Sequence, residues 1–199
     1  MLLKPIFILT FAFLSCTQNN RASVNNSLID TTFIYWENFT QNQKNEILNS
    51  GNVNKEAIEF YKGNLKVRDN DQTTALLNTL SSITTNDTTT PFYFFLFNQI
   101  CINSDGALSE MLGNYCQMMV LSSPAYVVSY LGQNEDILKK YAEYLGFELY
   151  FKEDGTSTLE YNYSDFKKIL SDTLGNEGKY ELILKLFYEE IEKSIKNME

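Results

Sequence analysis

Residues 179–198, KYELILKLFYEEIEKSIKNM, carry the pattern that decides the fold class. Apolar side chains recur there at three- and four-residue steps, the spacing of one face of an α-helix. These side chains are Tyr180, Ile183, Phe187, Ile191 and Ile195, with Leu184 beside them. On the other positions glutamates precede lysines by four residues, as in Glu181 and Lys185, the favourable order for ion pairs along a helix. We therefore expect an amphipathic helix with a charged, solvated outer face.

The same periodicity, with helix-start signals, extends upstream through the chain. Thr90-Pro91 and Ser123-Pro124 each combine a capping residue with a proline at the first helical position. The two dipeptides stand 33 residues apart, a spacing typical of helix-pair repeats. The sequence predicts an all-α fold of about eight helices, either an irregular bundle or a short α-α superhelix. The predicted upstream helices are 32–48, 54–63, 71–83, 91–102, 107–121, 124–131, 135–145 and 165–174.

One segment, residues 147–163, fits two structures. Phe147, Leu149 and Phe151 alternate with polar residues, and Asp154-Gly155 follows, which together indicate a β-hairpin with a tight turn. Gly146 would then end the preceding helix. The alternative is that this helix continues through residue 152, and the sequence leaves both open.

The N-terminus has the features of an export signal. Residues 5–15 are an apolar run of eleven, too short for a membrane-spanning helix, which needs about 20 residues, and typical of a signal peptide. The run ends at Cys16, and residues 17–30 are rich in Asn and Ser. Such a composition buries too little apolar surface to order itself, so 16–30 is expected to be a flexible tether.

Residues Phe13-Leu14-Ser15-Cys16 resemble the lipobox of bacterial lipoproteins, although Phe13 stands where that class usually has Leu. The resemblance implies that 1–15 is removed as a signal peptide, that Cys16 is the lipid attachment site, and that 31–199 forms the helical domain. It also implies a membrane-anchored protein of the bacterial cell envelope. No acidic cluster follows Cys16, which favours the periplasmic side over the cell surface.

Composition excludes several classes of chemistry. The chain has no histidine, which excludes Ser-His-Asp and Cys-His mechanisms and histidine-ligated zinc. Its net charge of −9 repels phosphate backbones, so nucleic acid is not expected as a partner. The same charge suits a basic protein partner.

No motif predicts a metal, a cofactor or a catalytic residue. Asn103-Ser104-Asp105-Gly106 has part of a calcium-loop pattern, but Cys101 and Leu112 stand where that pattern needs acids. Asp69-Asn70-Asp71 is better explained by helix capping. Cys101 and Cys116 are predicted to be buried and, if they flank a helix turn, to lie about 15 Å apart, too far for a disulfide.

Three functions follow as hypotheses. The first is a lipid-anchored binding protein without catalytic activity, such as an inhibitor or immunity-type partner that captures a basic protein through an acidic, Tyr-rich face. The second is a structural or assembly subunit of an envelope complex, which would expose a large apolar patch. The third is a hydrolase that uses two facing carboxylates about 5–9 Å apart. Individual binding residues are not readable from the sequence.

The lipobox-like segment leads to a direct test at Cys16. Protein made in a bacterial host should partition into detergent and carry an acyl mass increment, whereas Cys16→Ala should remain aqueous and unmodified. If wild type is instead cut near residue 15 and stays aqueous, the protein is secreted without a lipid. If residues 1–15 are retained on the wild-type protein, the export signal itself is refuted.

Overall fold

The structure is a computed structural model that describes residues 33–84, 87–104, 106–153, 155, 157, 159–175 and 177–198. Cys16, the predicted signal peptide 1–15 and the predicted tether 16–30 lie outside the described residues. The all-α fold class is confirmed, and the described residues form nine α-helices. They are α1 Gln41–Asn49, α2 Lys55–Tyr61, α3 Asp71–Ser81, α4 Thr90–Asn103, α5 Gly106–Ser122, α6 Pro124–Gln133, α7 Glu135–Glu153, α8 Tyr163–Leu174 and α9 Gly178–Lys196.

The predicted helix 32–48 is divided in two. A short 3-10 turn, Trp36–Asn38, comes first, and α1 begins after it. The cause is a capping box, in which the Thr40 hydroxyl accepts from the backbone N–H of Gln43 while the Gln43 side chain accepts from the Thr40 N–H. The prediction of one continuous helix missed this start because Thr40 does not interrupt an apolar stripe.

Residues 147–153 are helical, so the hairpin interpretation of 147–163 is wrong and the helix extension is confirmed. α7 runs to Glu153, and no strand occurs among the described residues. The alternation of Phe147, Leu149 and Phe151 therefore reflects a helix with contacts on several sides. Leu149 is fully buried, whereas the Phe147 and Phe151 rings pack on each other 4.8 Å apart.

The fold is built around α7. α5 packs along one side of α7 and α9 along another, and α4 and α6 also contact it. The four helices that contact α7 all stand within three places of it in chain order.

Two glycines allow these helices to approach α7 closely. A Cβ atom on Gly113 of α5 would overlap the Tyr144 carbonyl oxygen of α7. Gly146 of α7, the expected helix stop, instead lies inside the helix, where a Cβ would be 2.5 Å from the Cβ of Ser194 in α9. Both glycines thus permit close helix packing, and neither one ends a helix.

Aromatic side chains close the bundle near the first described residues. Trp36 is 2% exposed, and its ring lies 4.8 Å from that of Phe92 in α4. Tyr35 contacts Tyr126 and Tyr130 of α6 at ring distances of 4.9 and 4.8 Å. These rings attach the N-terminal residues to α4 and α6 by burial of large apolar surfaces.

The packing of α5 on α7 predicts the effect of Gly113→Ala. Overpacking against a backbone oxygen costs about 1–3 kcal/mol, whereas alanine regains about 1 kcal/mol of helix propensity. We expect the free energy of unfolding, measured by urea denaturation, to fall by up to about 2 kcal/mol. Gly178→Ala is the control, since no atom lies within 4 Å of its added Cβ, and it should be neutral or stabilising. Equal effects of both substitutions would contradict this packing.

Candidate functional site

A groove of about 410 Å³ separates α8 from α9 and combines acidic, basic and aromatic groups. One wall comes from α8 and the residue that ends it, and the other wall comes from α9. The lining residues are Lys167, Ser171 and Gly175 on the first wall, and Glu181, Leu184, Lys185, Tyr188, Glu189 and Glu192 on the second.

An ammonium group already lies at one end of this groove. The Lys167 Nζ is 5.4 Å from the centre of the Tyr163 ring and 5.0 Å from that of Tyr188. It is also 3.1 Å from a carboxylate oxygen of Glu192. Aromatic faces and a carboxylate both attract cations, so these three side chains form a cage that suits an ammonium ion.

Hydrogen bonds hold the cage together. The Tyr163 hydroxyl donates to Glu192 at 2.7 Å, and the Tyr188 hydroxyl donates to the Lys167 carbonyl at 3.3 Å. The Tyr163 hydrogen bond, followed by the one from Lys167, lowers the pKa of Glu192. Burial, followed by the contact with Glu192, raises the pKa of Tyr163. The carboxylate is therefore held in its charged form.

The start of α8 explains why Tyr163 and Lys167 share this position. Asn162 caps the helix by accepting from the backbone N–H of Asp165 at 2.9 Å. The helix thus begins two residues before the predicted start at 165. With the true start at Tyr163, this residue stands four positions before Lys167, so both lie on one face of α8.

The carboxylates of the groove come from a single wall, on α9. Glu189 lies 3.9 Å from Lys185, so the expected pairing of Lys185 with Glu181 is replaced. Glu190, adjacent in sequence, pairs instead with Lys193 at 3.2 Å, beside the separate groove between α7 and α9. The groove thus has the charges of a cation-binding surface, whereas the hydrolase hypothesis requires acids that face each other.

The two cysteines are neighbours in the core. Both are free and fully buried, as predicted. Burial, followed by the proximity of the Cys101 thiol, raises the pKa of Cys116, so the side chains lie closer than the expected 15 Å. Cys101 lies in α4 and Cys116 in α5, and both helices pack on α7. From α7, the Tyr144 hydroxyl donates to the Cys101 carbonyl at 2.8 Å. The register on α7, rather than a regular hairpin of α4 and α5, sets their separation.

Most tyrosines are in the interior, which changes the expected Tyr-rich contact face. Tyr61 is 39% exposed. The groove retains two tyrosines at its edge, with Tyr163 half-buried and Tyr188 presenting its ring to the Lys167 ammonium. Those that are buried are Tyr35, Tyr115, Tyr126, Tyr130, Tyr141, Tyr144, Tyr180 and Tyr188.

Other predicted positions contribute little to a site. Asp105 of the calcium-like segment lies outside the described residues, and the Asn70 side chain caps α3 by accepting from the Thr73 N–H. Within the described ranges, no three Cys, Asp or Glu side chains are grouped so as to hold a metal ion. No helix in that part of the chain is both long and apolar enough to cross a membrane.

Comparison with known proteins returns no match. No protein-family model matches the chain, and neither the curated proteins nor the solved structures contain a significant match to it. The geometry and charge of the described residues are therefore the basis for assigning a function.

The cage around Lys167 predicts a pH-dependent contribution to stability. Because the folded-state pKa of Glu192 is lowered, its contribution is present above the unfolded pKa and is lost as pH falls through the folded pKa. The difference in Tm between wild type and Glu192→Gln should thus be largest near neutral pH and shrink towards about pH 3. Tyr163→Phe keeps the carboxyl group but removes its main hydrogen bond, so it should weaken the same dependence. Parallel pH profiles for wild type and Glu192→Gln would contradict the assignment.

Proposed function

We propose that the protein is a lipid-anchored binding protein of the bacterial cell envelope, without catalytic activity, and that the groove between α8 and α9 binds lysine side chains of a basic protein partner. The observation that carries the proposal is the position of Lys167. Its ammonium group lies over two tyrosine rings and against Glu192, so the local chemistry accommodates such a cation. Cys16 would supply the anchor.

The groove offers room for a second ammonium beside Lys167. Leu184 and Tyr188, which are 5% and 8% exposed, form the apolar floor of the groove beneath an incoming lysine. Glu181 and Glu189, also on the α9 wall, provide carboxylates for its charged end. Glu189 is 55% exposed and only loosely paired with Lys185 at 3.9 Å, so it can accept a closer partner.

The distribution of charge along the chain supports a basic partner. No lysine or arginine stands between Arg68 and Lys139, a span that covers α3 to α6 and contains only acidic charges. Among the described residues, lysines are confined to the first two helices and their connections, and to α7, α8 and α9, where several form ion pairs with neighbouring glutamates. A long-range negative field of this kind speeds the approach of a basic protein.

The proposal predicts binding of a fluorescent octalysine peptide, measured by anisotropy at low salt. Removal of two groove carboxylates in Glu181→Gln/Glu189→Gln should weaken binding by about 2- to 30-fold, since each exposed charge pair contributes about 0.2–1 kcal/mol. Raising the salt concentration should weaken wild-type binding as well.

The matched control is Glu46→Gln/Glu56→Gln, which removes the same charge from exposed positions of α1 and α2. This control should bind the peptide nearly as well as wild type. Equal losses in both double variants would mean that the peptide responds to net charge alone, and the groove would not be the binding site.

A further inference from the structure

The point where the predicted tether joins the domain is well defined. The Phe33 ring packs edge-on against Tyr126 of α6 at 5.4 Å. The Tyr126 hydroxyl donates to the Ile34 carbonyl at 3.4 Å, and the Tyr35 hydroxyl donates to the Tyr126 carbonyl at 3.1 Å. The first described residue, Phe33, therefore lies beside the start of α6.

The chain segments that meet at this point carry no charged residue. We call the surface that they form the entry face, and it consists of the first two described residues together with the end of α5 and the start of α6. No charged residue occurs in 33–36 or in 119–134. Ile34 is 57% exposed, the largest exposed fraction among the large apolar side chains of the described residues. The entry-face residues are Phe33, Ile34, Leu121, Ser122, Pro124 and Ala125.

Two charged residues follow the entry-face segments in the chain, Glu37 and Glu135, and each already has a partner. Glu37 accepts from the Tyr130 hydroxyl at 2.9 Å. Glu135 pairs with Lys139 at 2.5 Å at the start of α7. By contrast, the outer side of α9 carries Lys185, Glu189 and Lys193. Moving that charged side against lipid would remove water from ionised groups, which is unfavourable.

The length of the tether limits which side of the domain can reach the membrane. Residues 17–32 separate Cys16 from Phe33. A flexible linker of this length has a root-mean-square span of about 20–24 Å. A domain of this size has a diameter of roughly 40 Å, from a radius of gyration of about 15 Å. A predicted flexible tether of this span would be too short, on average, to pass around the domain and present its far side.

We infer that the entry face lies against the phospholipid surface and that Ile34 enters the interfacial region of the bilayer. This inference rests on the proposed lipid anchor at Cys16. The domain has a net negative charge, so an uncharged face is the one that an anionic bilayer repels least. The groove lies between α8 and α9, which are not the helices of the entry face, so it stays available to a partner.

The test uses lipidated protein on phosphatidylcholine vesicles, with an environment-sensitive nitrobenzoxadiazole label on one introduced cysteine. Ile34→Cys and Ser122→Cys both report on the entry face. They are far apart in sequence, and only the first is near the predicted tether along the chain. Leu182→Cys, 43% exposed on α9, is the control. Cys101 and Cys116 are fully buried, which directs the label to the introduced thiol.

On vesicle binding, labels at 34 and 122 should shift their emission to shorter wavelength and be quenched by spin-labelled lipid, whereas the label at 182 should do neither. Vesicle flotation of the same samples tests the anchor separately. Flotation with an equal response at all three positions, or with no shift at 34 and 122, would overturn the orientation but leave the anchor intact. Absence of flotation would overturn both the anchor and the orientation.

Discussion

The close contact of α7 with its neighbours is the constraint on which the rest of the structure depends. Gly113 lets α5 reach the backbone of α7 on one side, and Gly146 lets α9 approach on another. Because protein interiors are close-packed, these short distances between helices determine which side chains of neighbouring helices meet. The Tyr144 hydroxyl can then reach the Cys101 carbonyl, and the Tyr141 hydroxyl can donate to the buried Asn98 at 2.8 Å.

The candidate groove depends on the same frame. α9 is placed by Gly146, and its outward residues supply one wall of the groove. α8 contributes the other wall, and the Asn162 cap sets its rotation, so that Tyr163 and Lys167 face Glu192. The groove and the entry face lie on different helices, so the membrane contact and the partner binding that we propose are compatible with each other.

The sequence predicted the helices better than it predicted their relations. Apolar periodicity identified α9, and proline identified the starts of α4 and α6, because these signals are local. The role of Gly146 and the proximity of the two thiols depend on which helix lies opposite. Lys167 illustrates the difference, since its partner Glu192 is 25 residues away and only the packing of α8 on α9 brings them together. No sequence pattern marked the groove.

The attachment of Tyr35 to α6 has a consequence for the order of folding. Its hydroxyl bonds to a carbonyl 91 residues later in the chain, and Glu37 bonds to a hydroxyl 93 residues later. A chain made from its N-terminus has these first residues long before their partners exist. Closing so large a loop costs entropy, which only the contacts with α6 offset. The N-terminal segment therefore cannot reach its native position until α6 has been synthesised. Residues 33–37 are thus made well before α6, and their contacts with Tyr126 and Tyr130 can form only once α6 has been synthesised.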